Sequence, residues 1–251
     1  MNEADTTKAL GERTQKYKDD TAELRAKIAK ADADLNKAQK MKESQEARYK
    51  GPEAVDAMKK KKNSGYTDEW DKELMSRSPQ DRVNEINGLQ SDFNKATKEF
   101  ASDLTAIAKS AKDVGANYQK QLDALTTALG EVKSYRYNST AKGYFGKTDV
   151  ANRRVTLSPL VFAASSAQMI GTMFHEGEHA RYQNADDSLD VAEHVAITNH
   201  QAALTKELMG EVTEANKTNI QAYLGAFLQS KGLTNTPSTL EIGGQYGNIT
   251  P

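Results

Sequence analysis

Apolar and small residues recur every seventh position near the start of the chain: Leu10, Tyr17, Leu24, Ala31 and Ala38, with Thr14, Thr21, Ile28 and Leu35 interleaved. This a/d seam predicts one long helix from about Glu3 to Lys50, ended by Gly51-Pro52. Thr67 reads as the cap of a short helix that begins with Asp68 and Glu69 and carries Trp70. Ser78-Pro79 reads as N-cap and first residue of a second long helix. Its seam is Ile86, Leu89, Phe93, Ala96, Phe100, Ile107 and Val114, continued by Leu122, Leu125 and Leu129 to Gly130. Two such helices with a connector predict an antiparallel, coiled-coil-like hairpin over residues 1–130.

After Gly130 the period changes. Alternation over Glu131 to Tyr137 predicts a strand, and Tyr144-Phe145 and Val155 to Leu157 predict two more. Ser158-Pro159 opens a helical stretch that runs to about Asn184, with a break near Ser165-Ser166. Ser188 starts another helix ending near Gly210, and Lys217 to Lys231 a last one. The tail admits one short strand around Leu240 to Ile242. The expected class is mainly α with a small β-sheet (α+β): a helical arm over 1–130, then a compact domain over 131–251.

Charge removes several classes of function. The chain has 34 basic and 35 acidic residues, so it lacks the net basic face that phosphate neutralisation needs. The run Lys59 to Lys62 then reads as a solvated loop, and no nucleic-acid partner is expected. No apolar run approaches the ~20 residues of a membrane span. The start, MNEADTTKAL, is too polar for a signal peptide, which predicts a cytoplasmic protein in the producing cell. Without cysteine there is no thiolate ligand and no cysteine nucleophile.

The four histidines, His175, His179, His194 and His200, are clustered in the sequence. His175-Glu176-Gly177-Glu178-His179 is an HExxH motif in a predicted helix. Histidines at i and i+4 project from one face and can share one Zn2+. Glu176 between them stands beside a metal-activated water and can take its proton during attack on a carbonyl. Gly177 costs about 1 kcal/mol in a helix interior, so another element is expected to pack closely there. Glu178 is expected to face solvent and pair with Arg181. Candidates for a third ligand are Asp186, Asp187, Asp190, Glu193, His194 and His200.

The motif, with two strands before it and a helix bearing an acidic residue after it, resembles the zincin metallopeptidases over about Glu131 to Gly210. Tyr182 and Ala185 stand where the elongated zincin motif has glycine and a third histidine, which excludes that branch. The gluzincin branch, with a glutamate on the following helix, implies Glu193 as third ligand. Val191, Ala192, Val195 and Ala196 make that stretch look buried, and a buried carboxylate there needs a partner. The branch's acidic position four residues on is Ile197 here, leaving Asp190 or Asn199 to support the ligands. His194, His200, Tyr182, Tyr223 and Tyr246 compete to stabilise an oxyanion. The resemblance also implies a substrate strand lying along a sheet edge, for which Val155 to Leu157 is the expected edge.

The expected activity is therefore zinc-dependent hydrolysis of a protein or peptide substrate. Polar helices ahead of a small zincin-like domain look like bacterial toxins or effectors exported by dedicated secretion machinery. A delivery component or cognate inhibitor is then the expected partner of the helical region. Two other readings stand beside this one: an adaptor whose zinc is structural, and a cell-wall peptide hydrolase.

Overall fold

A computed structural model describes residues 1–48, 77–182, 187–211, 240–241 and 248–249. The expected stop at Gly51-Pro52, the lysine run, the Trp70 helix and the helix over Lys217 to Lys231 lie outside the described residues.

The first seam forms two helices rather than one, α1 (Glu3–Asp20) and α2 (Ala22–Arg48). The interruption falls on Thr21, whose hydroxyl donates to the Tyr17 carbonyl at 2.8 Å and competes with the helical ladder. Helix α3 (Pro79–Ser110) starts as the Ser78-Pro79 pair predicts. Ser78 Oγ accepts from the Asp81 backbone N–H at 3.0 Å, and Asp81 Oδ2 accepts from the Ser78 N–H at 3.2 Å. This reciprocal cap satisfies two otherwise orphaned donors. Helix α3 ends before Val114, and α4 (Ala116–Glu131) begins after Gly115. Along α3 the buried positions are Arg82, Ile86, Phe93, Thr97, Phe100, Ala101, Leu104 and Ala108, whereas Ile107 is only half-buried. A straight helix drifts against a strict seven-residue repeat, which moves the seam by one position.

Two compact units are present, and they do not divide at residue 130. One comprises Met1–Thr21 with Asn94–Pro251, the other Ala22–Phe93. Packing explains why α1 and the second half of α3 belong with the C-terminal elements. Tyr17 stacks on Phe100 with ring centroids 4.2 Å apart and bonds to Thr97 Oγ1 at 2.6 Å. Thr7 Oγ1 donates to the Leu208 carbonyl at 2.7 Å. In the unit Ala22–Phe93, Ile28, Ala31 and Ala38 of α2 and Ile86 and Phe93 of α3 are buried.

The small sheet has the order β1-β3-β2, with β1 (Ser134–Tyr137), β2 (Gly146–Asp149) and β3 (Arg154–Leu157). Strands β1 and β3 are parallel, with Tyr135 opposite Val155. Strands β2 and β3 form an antiparallel pair, with Gly146 opposite Leu157 and Thr148 opposite Val155. Tyr144-Phe145 precedes β2 rather than forming it. Val155 to Leu157 is the central strand, not an edge as expected: its backbone groups are engaged by a strand on each side, so it has no free edge for a substrate. The edge on the motif's side is β2.

Ser158 Oγ accepts from the Leu160 N–H at 3.2 Å and starts the short α5 (Pro159–Ala163). After the expected break come α6 (Ser166–Tyr182) and α7 (Asp187–Met209). Gly210, at φ +66°, closes α7 in the left-handed conformation that glycine adopts without a Cβ clash. A last pair, β4 (Leu240–Glu241) and β5 (Asn248–Ile249), is antiparallel. The chain is mainly helical with a small sheet, the α+β class expected. Among the described residues no helix is long and apolar enough to cross a membrane.

Helix α6 is the core element. Every residue from Ala167 to Glu178 is buried, by α4, α7, β2 and α1 among others. A helix covered on all sides must accommodate close neighbours, and its two glycines do so. A Cβ on Gly171 would lie 2.8 Å from Thr205 Cγ2 and 2.9 Å from Gln201 Nε2, both on α7. A Cβ on Gly177 would lie 2.5 Å from the Ala128 carbonyl oxygen, which is α4 backbone. The close approach expected at Gly177 is therefore α4. Gly177→Ala should gain about 1 kcal/mol of helix propensity yet lose more than that to a clash with a backbone that has little room to move. A net loss of about 1–2 kcal/mol should lower the melting temperature by roughly 2–8 °C for a chain of this size, measurable by calorimetry. An unchanged or raised melting temperature would refute this account of the glycine.

Candidate metal centre

Three histidine side chains meet where α6 and α7 adjoin. His175 and His179 lie one turn apart on α6, and His194 projects from α7. One ring nitrogen from each lies within 4.8 Å of the others. The Nε2 atoms of His175 and His179 are 3.2 Å apart. Ring centroids are separated by 4.9 Å for His175–His179, 4.7 Å for His175–His194 and 5.0 Å for His179–His194.

Gln201, two turns after His194 on α7, fixes the chemistry of His175. Its Oε1 lies 3.0 Å from His175 Nδ1. An amide oxygen only accepts, so Nδ1 carries the proton and Nε2 presents a lone pair to the cluster. Gly171 allows this contact by letting the Gln201 stem approach α6. Burial is the main cause that pushes His175 well below the usual histidine range; His179 and His194 add to the effect, and Gln201 opposes it. A neutral imidazole in this position suits a metal ion.

Glu176 is buried, and β2 lies directly against it. A Cβ on Gly146 would stand 2.7 Å from Glu176 Cγ and 2.9 Å from its Oε1, so only glycine fits there without displacing the carboxylate. Thr148 Oγ1 lies 2.7 Å from Glu176 Oε2 and 2.9 Å from the Glu176 carbonyl oxygen. Burial raises the Glu176 pKa above the usual carboxylate range; His179 and the Thr148 hydrogen bond hold it down.

The other expected residues are distributed as follows. Glu193 lies on α7 immediately before His194, and its side chain is outside the described part, as are those of Asp187 and Asp190. Asp186, Tyr223 and Tyr246 are outside it altogether. His200 is exposed and is not in the cluster. Tyr182 is half-buried, with the Arg181 guanidinium 5.2 Å from its ring centroid. Glu178 pairs with Arg181 at 3.4 Å as expected, but its side chain is buried rather than facing solvent. The cause is the position of α6, whose residues from Ala167 to Glu178 are all covered by neighbouring elements.

Three site residues escaped the reading of the sequence. Gln201 carries a spacing signal, because it is seven residues from His194 and hence on the same helix face. Gly146 and Thr148 carry none, since their importance arises only from the placement of β2 on α6.

The donor set fits a divalent metal ion. Three imidazoles converge, one is oriented by a buried amide, and a carboxylate stands between two of them in sequence. Nitrogen donors in this number suit Zn2+, with a coordination position left for water or substrate. No protein-family model, curated protein or solved structure matches the chain.

Proposed function

We propose that the chain is a zinc-dependent peptidase that hydrolyses peptide bonds by activating water. The observation that carries this reading is the convergence of His175, His179 and His194 beside the buried carboxylate of Glu176. His175, His179 and one residue of α7 would hold the ion. When bound, Zn2+ supplies Lewis acidity to a water and to the scissile carbonyl. Glu176 takes the proton of the attacking water and delivers it to the departing amine, so that C–N cleavage leaves a carboxylic acid and an amine. Gln201 holds the His175 ring in the tautomer that keeps Nε2 available. An extended peptide is the favoured substrate, because among the described residues the outer edge of β2 pairs with no strand and the same strand carries the Thr148 side chain that meets Glu176. The unit Ala22–Phe93 contains none of these groups, and we assign it to docking of a delivery component or cognate inhibitor, as in an exported effector.

Protein purified without added metal should contain about one zinc per chain, and His175→Ala should contain almost none. The wild-type protein should also cleave an unfolded protein such as casein, and a chelator should abolish cleavage. Equal, near-zero zinc in both proteins would end the metal reading. Full zinc without hydrolysis of casein or of a peptide library would favour a structural zinc in an adaptor.

A further inference from the structure

The contact between β2 and Glu176 has a more specific consequence. Glu176 Oε2 is engaged by Thr148 at 2.7 Å, while Oε1 has no hydrogen-bond partner among the described residues. The same threonine oxygen lies 2.9 Å from the Glu176 main-chain carbonyl, so its one hydrogen is shared between that oxygen and the nearer Oε2. Gly146, two positions earlier on the same face of β2, leaves the space that Glu176 Cγ and Oε1 occupy. One strand thus confines the side chain by shape at Gly146 and by hydrogen bonding at Thr148. A glutamate has three side-chain torsions, and holding one carboxylate oxygen removes most of that freedom.

The geometry points to Thr148 as a positioning residue for the general base: its hydroxyl holds Glu176 Oε2, leaving Oε1 as the oxygen that exchanges protons with water and leaving group. This rests on the peptidase reading above. It assigns β2 a role in holding the base, in addition to offering its outer edge.

The test uses zinc-loaded full-length protein and acetohydroxamic acid as probe. A hydroxamate binds a metal through its oxygens and can share a proton with an adjacent carboxylate. Thr148→Val keeps the shape and removes the hydroxyl; Thr148→Ser keeps the hydroxyl. Thr148→Val should bind the hydroxamate about tenfold more weakly, the equivalent of roughly one hydrogen bond, with zinc affinity unchanged. Thr148→Ser should restore most of the loss, and Glu176→Gln should weaken binding at least as much as Thr148→Val. On a cleavable peptide, Thr148→Val should lower kcat and leave KM unchanged. Thr148→Ala replaces the valine variant if that one does not fold. Wild-type hydroxamate affinity in the variant lacking the hydroxyl would overturn the proposal, as would a fall in melting temperature with no change in affinity. If instead the wild-type protein binds no zinc, or Glu176→Gln binds the probe like wild type, it is the peptidase reading that fails, and the role of Thr148 fails with it.

Discussion

Replacing Glu176 with glutamine should leave the protein folded and loaded with zinc while hydrolysis falls by about 10²–10⁴, the usual contribution of a general base. The two side chains are nearly the same size, so the fit against Gly146 is retained. The amide oxygen can still accept from Thr148. Burial already disfavours the ionised carboxylate, so a neutral group at this position should not lower the melting temperature. Neither side chain belongs to the three-histidine cluster that would hold a metal. Zinc content, melting temperature and cleavage of casein should therefore separate: the first two unchanged, the third almost lost. Full hydrolysis by the glutamine variant would remove Glu176 from the mechanism.

The second large effect concerns the third ligand. His194→Ala should weaken zinc binding by more than 100-fold, beyond the 10–100-fold typical of residues that only orient a ligand. The reason is geometric: among the described side chains, His194 completes the group around His175 and His179. Glu193→Ala is the decisive companion, because the gluzincin resemblance implies that residue instead. Consecutive helix positions differ by about 100° around the axis, so two neighbours on α7 are alternatives rather than equivalent donors. Competition titration with a chromophoric chelator would measure both variants. Should Glu193→Ala lose affinity while His194→Ala binds like wild type, the donor set would be two histidines and a glutamate. Zinc linkage offers an independent check, since added zinc should raise the melting temperature of any variant that retains the site and fail to raise that of one that has lost it.

What the sequence made legible was local. Ser78-Pro79 and Ser158-Pro159 announce helix starts because their capping chemistry lies within three residues of chain. Gly210 announces a helix end for the same reason. His175 and His179 share a face by spacing alone. Strand β2 was displaced because Gly146-Lys147-Thr148-Asp149 has no apolar alternation; its pairing with β3 and its packing on α6 make it a strand. The division into units was unreadable from periodicity. Heptad spacing is the same whether a helix covers another arm helix or, as α1 does, the helix that carries the motif. Gly177 is the instructive intermediate: its identity signalled a close neighbour, but only the fold shows that the neighbour is the Ala128 carbonyl.

The interposed unit Ala22–Phe93 sets an order of assembly. Tyr17 meets Thr97 across 80 positions, and Thr7 meets Leu208 across 201. During synthesis α1 can meet α3 first, but it must wait for nearly the whole described chain before its α7 partner exists. At roughly 5–20 residues per second, that interval is on the order of 10–40 s. Contacts so distant in sequence also carry a high closure entropy and slow the final folding step. The histidine cluster needs side chains from both α6 and α7, so a chain truncated before α7 would lack it.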